Sequence, residues 1–154
     1  MTWVFLALVA FYVLWAALIA WHYFRIRKEA LEVYEAERRR GAFPENEPFE
    51  PYERAYLKTS SLRVFIYRWL ACVTATVLLP VIVWALNFVW VKIYYAIGAD
   101  LVFEEGNMVH SFYLAVGSMA GLVLIAGLYA RAYHVGRKND FAKEWADERQ
   151  IAHA

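Results

Sequence analysis

Three stretches of this chain, residues 1–24, 69–91 and 108–130, contain no Asp, Glu, Lys or Arg. A helix of about 23 residues reaches roughly 35 Å, enough to cross the ~30 Å hydrocarbon core of a bilayer with some tilt. Charged residues make up 20% of the chain and are bunched between these runs, while 62% is hydrophobic. That pattern calls for lipid as the solvent, and in lipid a helix satisfies its own backbone polar groups. The sequence therefore predicts an all-α integral membrane protein with three transmembrane helices, over residues 1–24, 61–98 and 108–133.

The net charge of +1 is uninformative, but the distribution of the sixteen Lys and Arg residues is not. Only Lys92 lies between the second and third runs; the rest fall between Arg25 and Arg68 or after the third run. By the positive-inside rule, the N-terminus and the external loop 99–107 lie outside. Residues 25–60 and the tail 134–154 then lie in the cytoplasm, and a bacterial inner membrane is the natural setting. The first run has its positive charges after the apolar core and no A-x-A end, so it is expected to be a retained anchor and not a cleaved signal. Trp3 and Trp21, Trp69 and Trp90, and Phe112 and Tyr133 bracket the three spans as interfacial anchors.

Past Phe24 the pattern becomes amphipathic, with Ile26, Ala30, Val33 and Tyr34 on one side. The first helix should thus extend into the cytoplasm to about Arg40. Arg38, Arg39 and Arg40 suit the negative end of its dipole, and Gly41 suits the left-handed position beyond it. These arginines lack aromatic interleaving or a glycine-rich loop, so nucleic acid is not expected as a partner. Residues 41–60 read as an extended strap, because Pro44, Pro48 and Pro51 favour extended geometry before them. Its rings, Phe43, Phe49, Tyr52 and Tyr56, are sticky points that could lie on the membrane, on the protein's own helix ends or on a partner. Of these, docking on a partner is the favoured reading. Asp100 and Asn107 are placed to cap an interfacial turn and the third helix. The tail carries a short amphipathic helix with Phe141 and Trp145 four residues apart.

Candidate functional residues are few. Thr76, Pro80 and Asn87 share one face of the second span, expected to be buried against protein. Gly117 and Gly121 form a G-x-x-x-G pair beside Ser118, which lets helix backbones approach closely, within the chain or between chains. His22 and His134 lie at the inner ends of the first and third spans and could hold a haem between them, with Gly127 leaving room for the porphyrin edge. His110 is outside and alone. Arg25, Arg27, Lys28, Arg63, Arg68 and Arg131 sit where anionic lipid headgroups would meet them. No catalytic motif, phosphate loop or metal-ligand spacing occurs, and the single Cys72 excludes an intramolecular disulfide. The expected function is that of a non-enzymatic accessory subunit, without cofactor, among other membrane subunits of an inner-membrane complex such as a respiratory or secretion machine. The alternatives are a haem-binding or electron-transfer protein using His22 and His134, and a channel or holin-like oligomer.

Overall fold

The computed structural model describes residues 2–42, 48–98, 101–135 and 140–153. Among these, five α-helices and one short 3-10 turn account for the secondary structure: α1 (Thr2–Arg39), α2 (Phe49–Thr59), α3 (Leu62–Ala96), the turn Leu101–Phe103, α4 (Met108–Val135) and α5 (Phe141–His153). α1, α3 and α4 are each long and apolar enough to cross a membrane. The chain divides into two units, residues 70–131 and the remainder. Phe43, Pro44 and Asp100, singled out above, lie outside the described residues.

α1 runs without a break from the apolar stretch into the charged one, 38 residues or ~57 Å. It ends as the sequence requires. Gly41 adopts φ +75°, its N–H donates to Arg38 O at 3.0 Å, and the N–H of Ala42 donates to Glu37 O at 3.1 Å. That paired closure needs a left-handed residue, which glycine supplies without a Cβ penalty.

The strap expectation is corrected over residues 49–59, which are helical. Proline opposes a helix only where its missing N–H breaks a bond. Pro48 is the N-cap and Pro51 lies in the first turn, where amides have no partner within the helix. Glu50 in the first turn and Lys58 in the last complement the helix dipole. Tyr52, Ala55, Tyr56 and Thr59 then fall on one face, a helical period inside the segment read as extended. α2 ends where Ser60 Oγ donates to Leu57 O at 2.7 Å, and α3 begins at Leu62, which is buried.

In the unit of residues 70–131, α3 and α4 pack antiparallel along ridges of every fourth residue. Trp90 meets Tyr113, Leu86 meets Gly117, Ile82 meets Gly121, and the hydroxyls of Thr74 and Tyr129 share a hydrogen bond of 2.7 Å. Ile125, between Gly121 and Tyr129 on the same ridge, is buried. Asn107 caps α4 as expected: its Oδ1 accepts from the His110 N–H at 2.9 Å, while its Nδ2 donates to Leu101 O and Val102 O.

Candidate functional site

The residues outside the apolar runs assemble into a three-helix module made from the second half of α1, α2 and α5. α2 and α5 run antiparallel along two seams, one aromatic and one charged. In the aromatic seam Tyr52 lies edge-on to Phe141 and Trp145, and Tyr56 edge-on to Phe141. Tyr52 also meets Tyr34 of α1, which in turn meets Phe49. Ala30 and Ala55 are fully covered, and their small side chains are what an intimate α1–α2 contact needs.

The charged seam is built from i, i+4 pairs on each helix. Lys58 Nζ approaches Glu148 Oε1 at 2.5 Å and Glu144 Oε2 at 3.5 Å, and Arg54 Nε approaches Glu148 Oε2 at 3.3 Å. On the other side of α2, Arg27 of α1 holds Glu53 at 2.8 Å. Glu53, Glu144 and Glu148 are all buried, and a buried carboxylate is tolerable only with such partners. Asp140 caps α5, its Oδ1 accepting from the N–H groups of Ala142 and Lys143 at 3.0 and 3.5 Å.

This arrangement gives the module an alkaline limit. The hydrogen bond to Glu148 raises the Lys58 ammonium above its ordinary 10.5, with burial opposing it and the charges of Glu148 and Glu144 helping. Burial raises the Tyr52 phenol above 10.0, with smaller contributions from Tyr56 and Glu37. In both cases the protonated form is favoured by folding. The stabilisation is therefore complete below the unfolded values and is lost as pH rises through the folded ones. Circular dichroism of the full chain should be flat from pH 7 to about pH 10 and lose helix above about pH 10.5; a transition centred below pH 9 would contradict the assignment.

The rings expected to dock on a partner are thus engaged within the chain: Tyr52 is buried, with Phe49 and Tyr56 in the same cluster. Gly117 and Gly121 are likewise engaged. A Cβ at Gly117 would stand 2.7 Å from Leu86 Cδ1, and one at Gly121 would stand 3.0 Å from Ile82 Cδ1, so the close approach they permit is to α3 of the same chain. Ser118 beside them is half-buried.

Within this chain the face of Thr76, Pro80 and Asn87 is divided, part covered and part exposed. Asn87 Oδ1 meets His110 Nε2 at 2.7 Å, Thr76 Oγ1 donates to Cys72 O at 2.9 Å, and Pro80 is exposed within a continuous helix. The reason is geometric. A ridge of every fourth residue drifts about 40° around the helix per step, so α4 reaches this face only at Asn87.

His110, read as solitary, is buried in a network. The Gly106 N–H donates to its Nδ1 at 3.0 Å, which assigns the proton to Nε2 and makes that nitrogen the donor to Asn87. Trp90 packs on the same imidazole and donates its Nε1–H to Phe103 O at 2.9 Å.

The two histidines proposed for haem lie in different surroundings. His22 is half-buried and edge-on to Phe65; His134 is exposed and edge-on to Tyr133. Space beside Gly127 is open, as expected. Of the six cations assigned to lipid, Arg25 pairs with Glu29 and Arg27 with Glu53, and Arg63 lies over the ring of Tyr67. Lys28, Arg68 and Arg131 are exposed. Among the described residues no group of three or more His, Cys, Asp and Glu side chains is gathered as a metal site. The buried acids of α2 and α5 were missed by the sequence reading, although Arg54 with Lys58 and Glu144 with Glu148 are complementary i, i+4 pairs.

Compared with known protein families, curated proteins and solved structures, the chain matches none.

Proposed function

We infer that the protein is a non-enzymatic, three-span accessory subunit of a larger bacterial inner-membrane assembly, with its N-terminus outside and its three-helix module in the cytoplasm. One observation carries this reading. From Tyr12 onward α1 has a covered stripe, Tyr12, Trp15, Ala16, Ile19, His22, Ile26, Ala30 and Tyr34, whereas residues 2–11 are exposed all round. The stripe is pinned at its start by Trp69, whose Nε1–H donates to Tyr12 O at 3.1 Å. The first nearly three turns of α1, with Trp3, Phe5 and Phe11, are therefore uncovered by the other described residues of the same unit. A neighbouring subunit is the occupant that reading assigns to this overhang. The orientation rests on the same Lys/Arg asymmetry as before.

The test is the native mass of tagged full-length protein extracted in a mild detergent, with the co-migrating chains identified. A large particle of defined composition is expected, and Phe5→Ala with Phe11→Ala should release the subunit from it while membrane insertion is kept. A lone protomer or a small homo-oligomer would overturn the subunit reading.

A further inference from the structure

Two cavities meet at His22. One, of about 460 Å³, opens between α1 and the corner that joins α2 to α3, and among its lining residues are His22, Arg25, Glu29, Thr59, Ser60 and Ser61. The other, of about 210 Å³, is almost wholly apolar and is lined by Trp15, Leu18, Ile19, Trp21, His22 and Phe65. Every α1 residue of the apolar cavity lies in the uncharged run, and the polar cavity extends from its end into the charged half. The shared imidazole carries the unexplained group: His22 Nε2 is buried without a hydrogen-bond partner among the described residues. A polar atom left that way costs free energy that a ligand would recover.

We propose that these two cavities, which share His22 in their linings, together bind one phospholipid with a zwitterionic, primary-ammonium headgroup, that is, a phosphatidylethanolamine. The inference rests on α1 being a membrane span and does not depend on the subunit reading. The apolar cavity takes the start of an acyl chain, and the polar one takes the headgroup.

The donors and acceptors sort by charge. Arg25 gives its Nε–H to Glu29 Oε1 at 3.2 Å, which leaves the two terminal amino groups of the guanidinium for a phosphodiester, together with His22 Nε2 and the Ser61 hydroxyl. The hydroxyl protons of Thr59 and Ser60 already go to the carbonyls of Ala55 and Leu57, so their oxygens remain as acceptors. Those oxygens and the Glu29 carboxylate suit an ammonium that carries its own hydrogens. Arg25 and Glu29 already cancel each other, so a phosphatidylglycerol headgroup would add a net negative charge that no other charged residue of the lining offsets, and a quaternary choline has no N–H to donate. The presence of Glu29 beside Arg25 is thus what selects a zwitterion over an anionic lipid.

Native mass spectrometry of delipidated full-length protein in detergent, with phosphatidylethanolamine, phosphatidylglycerol or phosphatidylcholine added back singly, tests this. One phosphatidylethanolamine per chain is expected, bound at least about tenfold more tightly than the other two, the factor that one hydrogen bond to a charged group carries. His22→Ala and Arg25→Gln should each weaken it by about tenfold, and Glu29→Gln should abolish the preference over phosphatidylglycerol while binding of the phosphate persists. Glu104→Gln, exposed and remote in sequence from both cavities, should change neither. Far-UV circular dichroism matching that of the parent chain identifies the variants that remain folded. Equal binding of the three lipids, or a phosphatidylethanolamine preference unchanged in folded Glu29→Gln, would overturn the proposal. A protein that stays dispersed without detergent would overturn the membrane reading on which it rests.

Discussion

Replacing Tyr52 with alanine is expected to melt the α2–α5 pair while leaving the α3–α4 seam folded. Tyr52 is only 3% exposed, and its ring meets Tyr34, Tyr56, Phe141 and Trp145, so it ties α1, α2 and α5 together. Truncating a large buried aromatic costs about 3–5 kcal/mol. A module of one half-helix and two short helices has little more stability than that, because helices of 11 and 13 residues are marginal without tertiary packing. Hydrogen exchange on the full chain should show protection lost in peptides covering residues 49–59 and 141–153 and kept in those covering 74–90 and 113–129. Retained protection in α2 would mean that the charged seam alone holds the module. The same experiment separates the packing role of Tyr52 from any role in partner docking, since docking would leave exchange in the isolated protein unchanged.

The second large effect is expected at Trp90, which is 5% exposed and packs at the Tyr113 end of the α3–α4 pair. Its ring contacts Phe103, His110 and Tyr113, and its N–H satisfies the Phe103 carbonyl. Trp90→Ala should cost about 3–5 kcal/mol and free the connection between α3 and α4, seen as proteolytic cleavage within residues 97–107 of the detergent-solubilised protein. Trp90→Phe keeps most of the ring and loses only the hydrogen bond, an effect of about 1 kcal/mol. Equal cleavage of parent and Trp90→Ala proteins would show that the Asn107 cap and the His110–Asn87 hydrogen bond hold the connection unaided.

The charged seam places a limit on how these effects combine. Lys58 faces two carboxylates that are both nearly covered, while its own side chain is half exposed. Removing the lysine would strip an ion pair from each of two buried carboxylates on adjacent turns of α5, leaving Glu148 with Arg54, whereas removing either glutamate leaves Lys58 paired with the other. Changes at Lys58 and Tyr52 lie within one helix and share α5 as a partner, so their effects should not add.

The sequence by itself determined the elements that depend on composition along the chain. Lipid-compatible runs, the continuation of α1 past Phe24, the glycine closure at Gly41, the Asn107 cap and the α5 helix all rest on local signals, in which a residue's neighbours in sequence are the neighbours that matter. The α2 helix is legible too, in the Tyr52, Ala55, Tyr56, Thr59 period, and the prolines are compatible with it because Pro48 caps the helix and Pro51 lies in its first turn. What only the tertiary structure decided is which face meets what. Gly117 and Gly121 had two equally good partners by sequence, another chain or this one, and the ridge of Ile82 and Leu86 answers that they serve this chain. His110 looked solitary because Asn87 and Gly106 come to it only when α4 folds back on α3. Glu144 and Glu148 carry no signal of burial in the sequence because their partners, Lys58 and Arg54, lie some ninety residues earlier. Charge and hydrogen-bond complementarity acts over a few ångströms in space, and a linear sequence records that proximity only for residues within about a turn of each other.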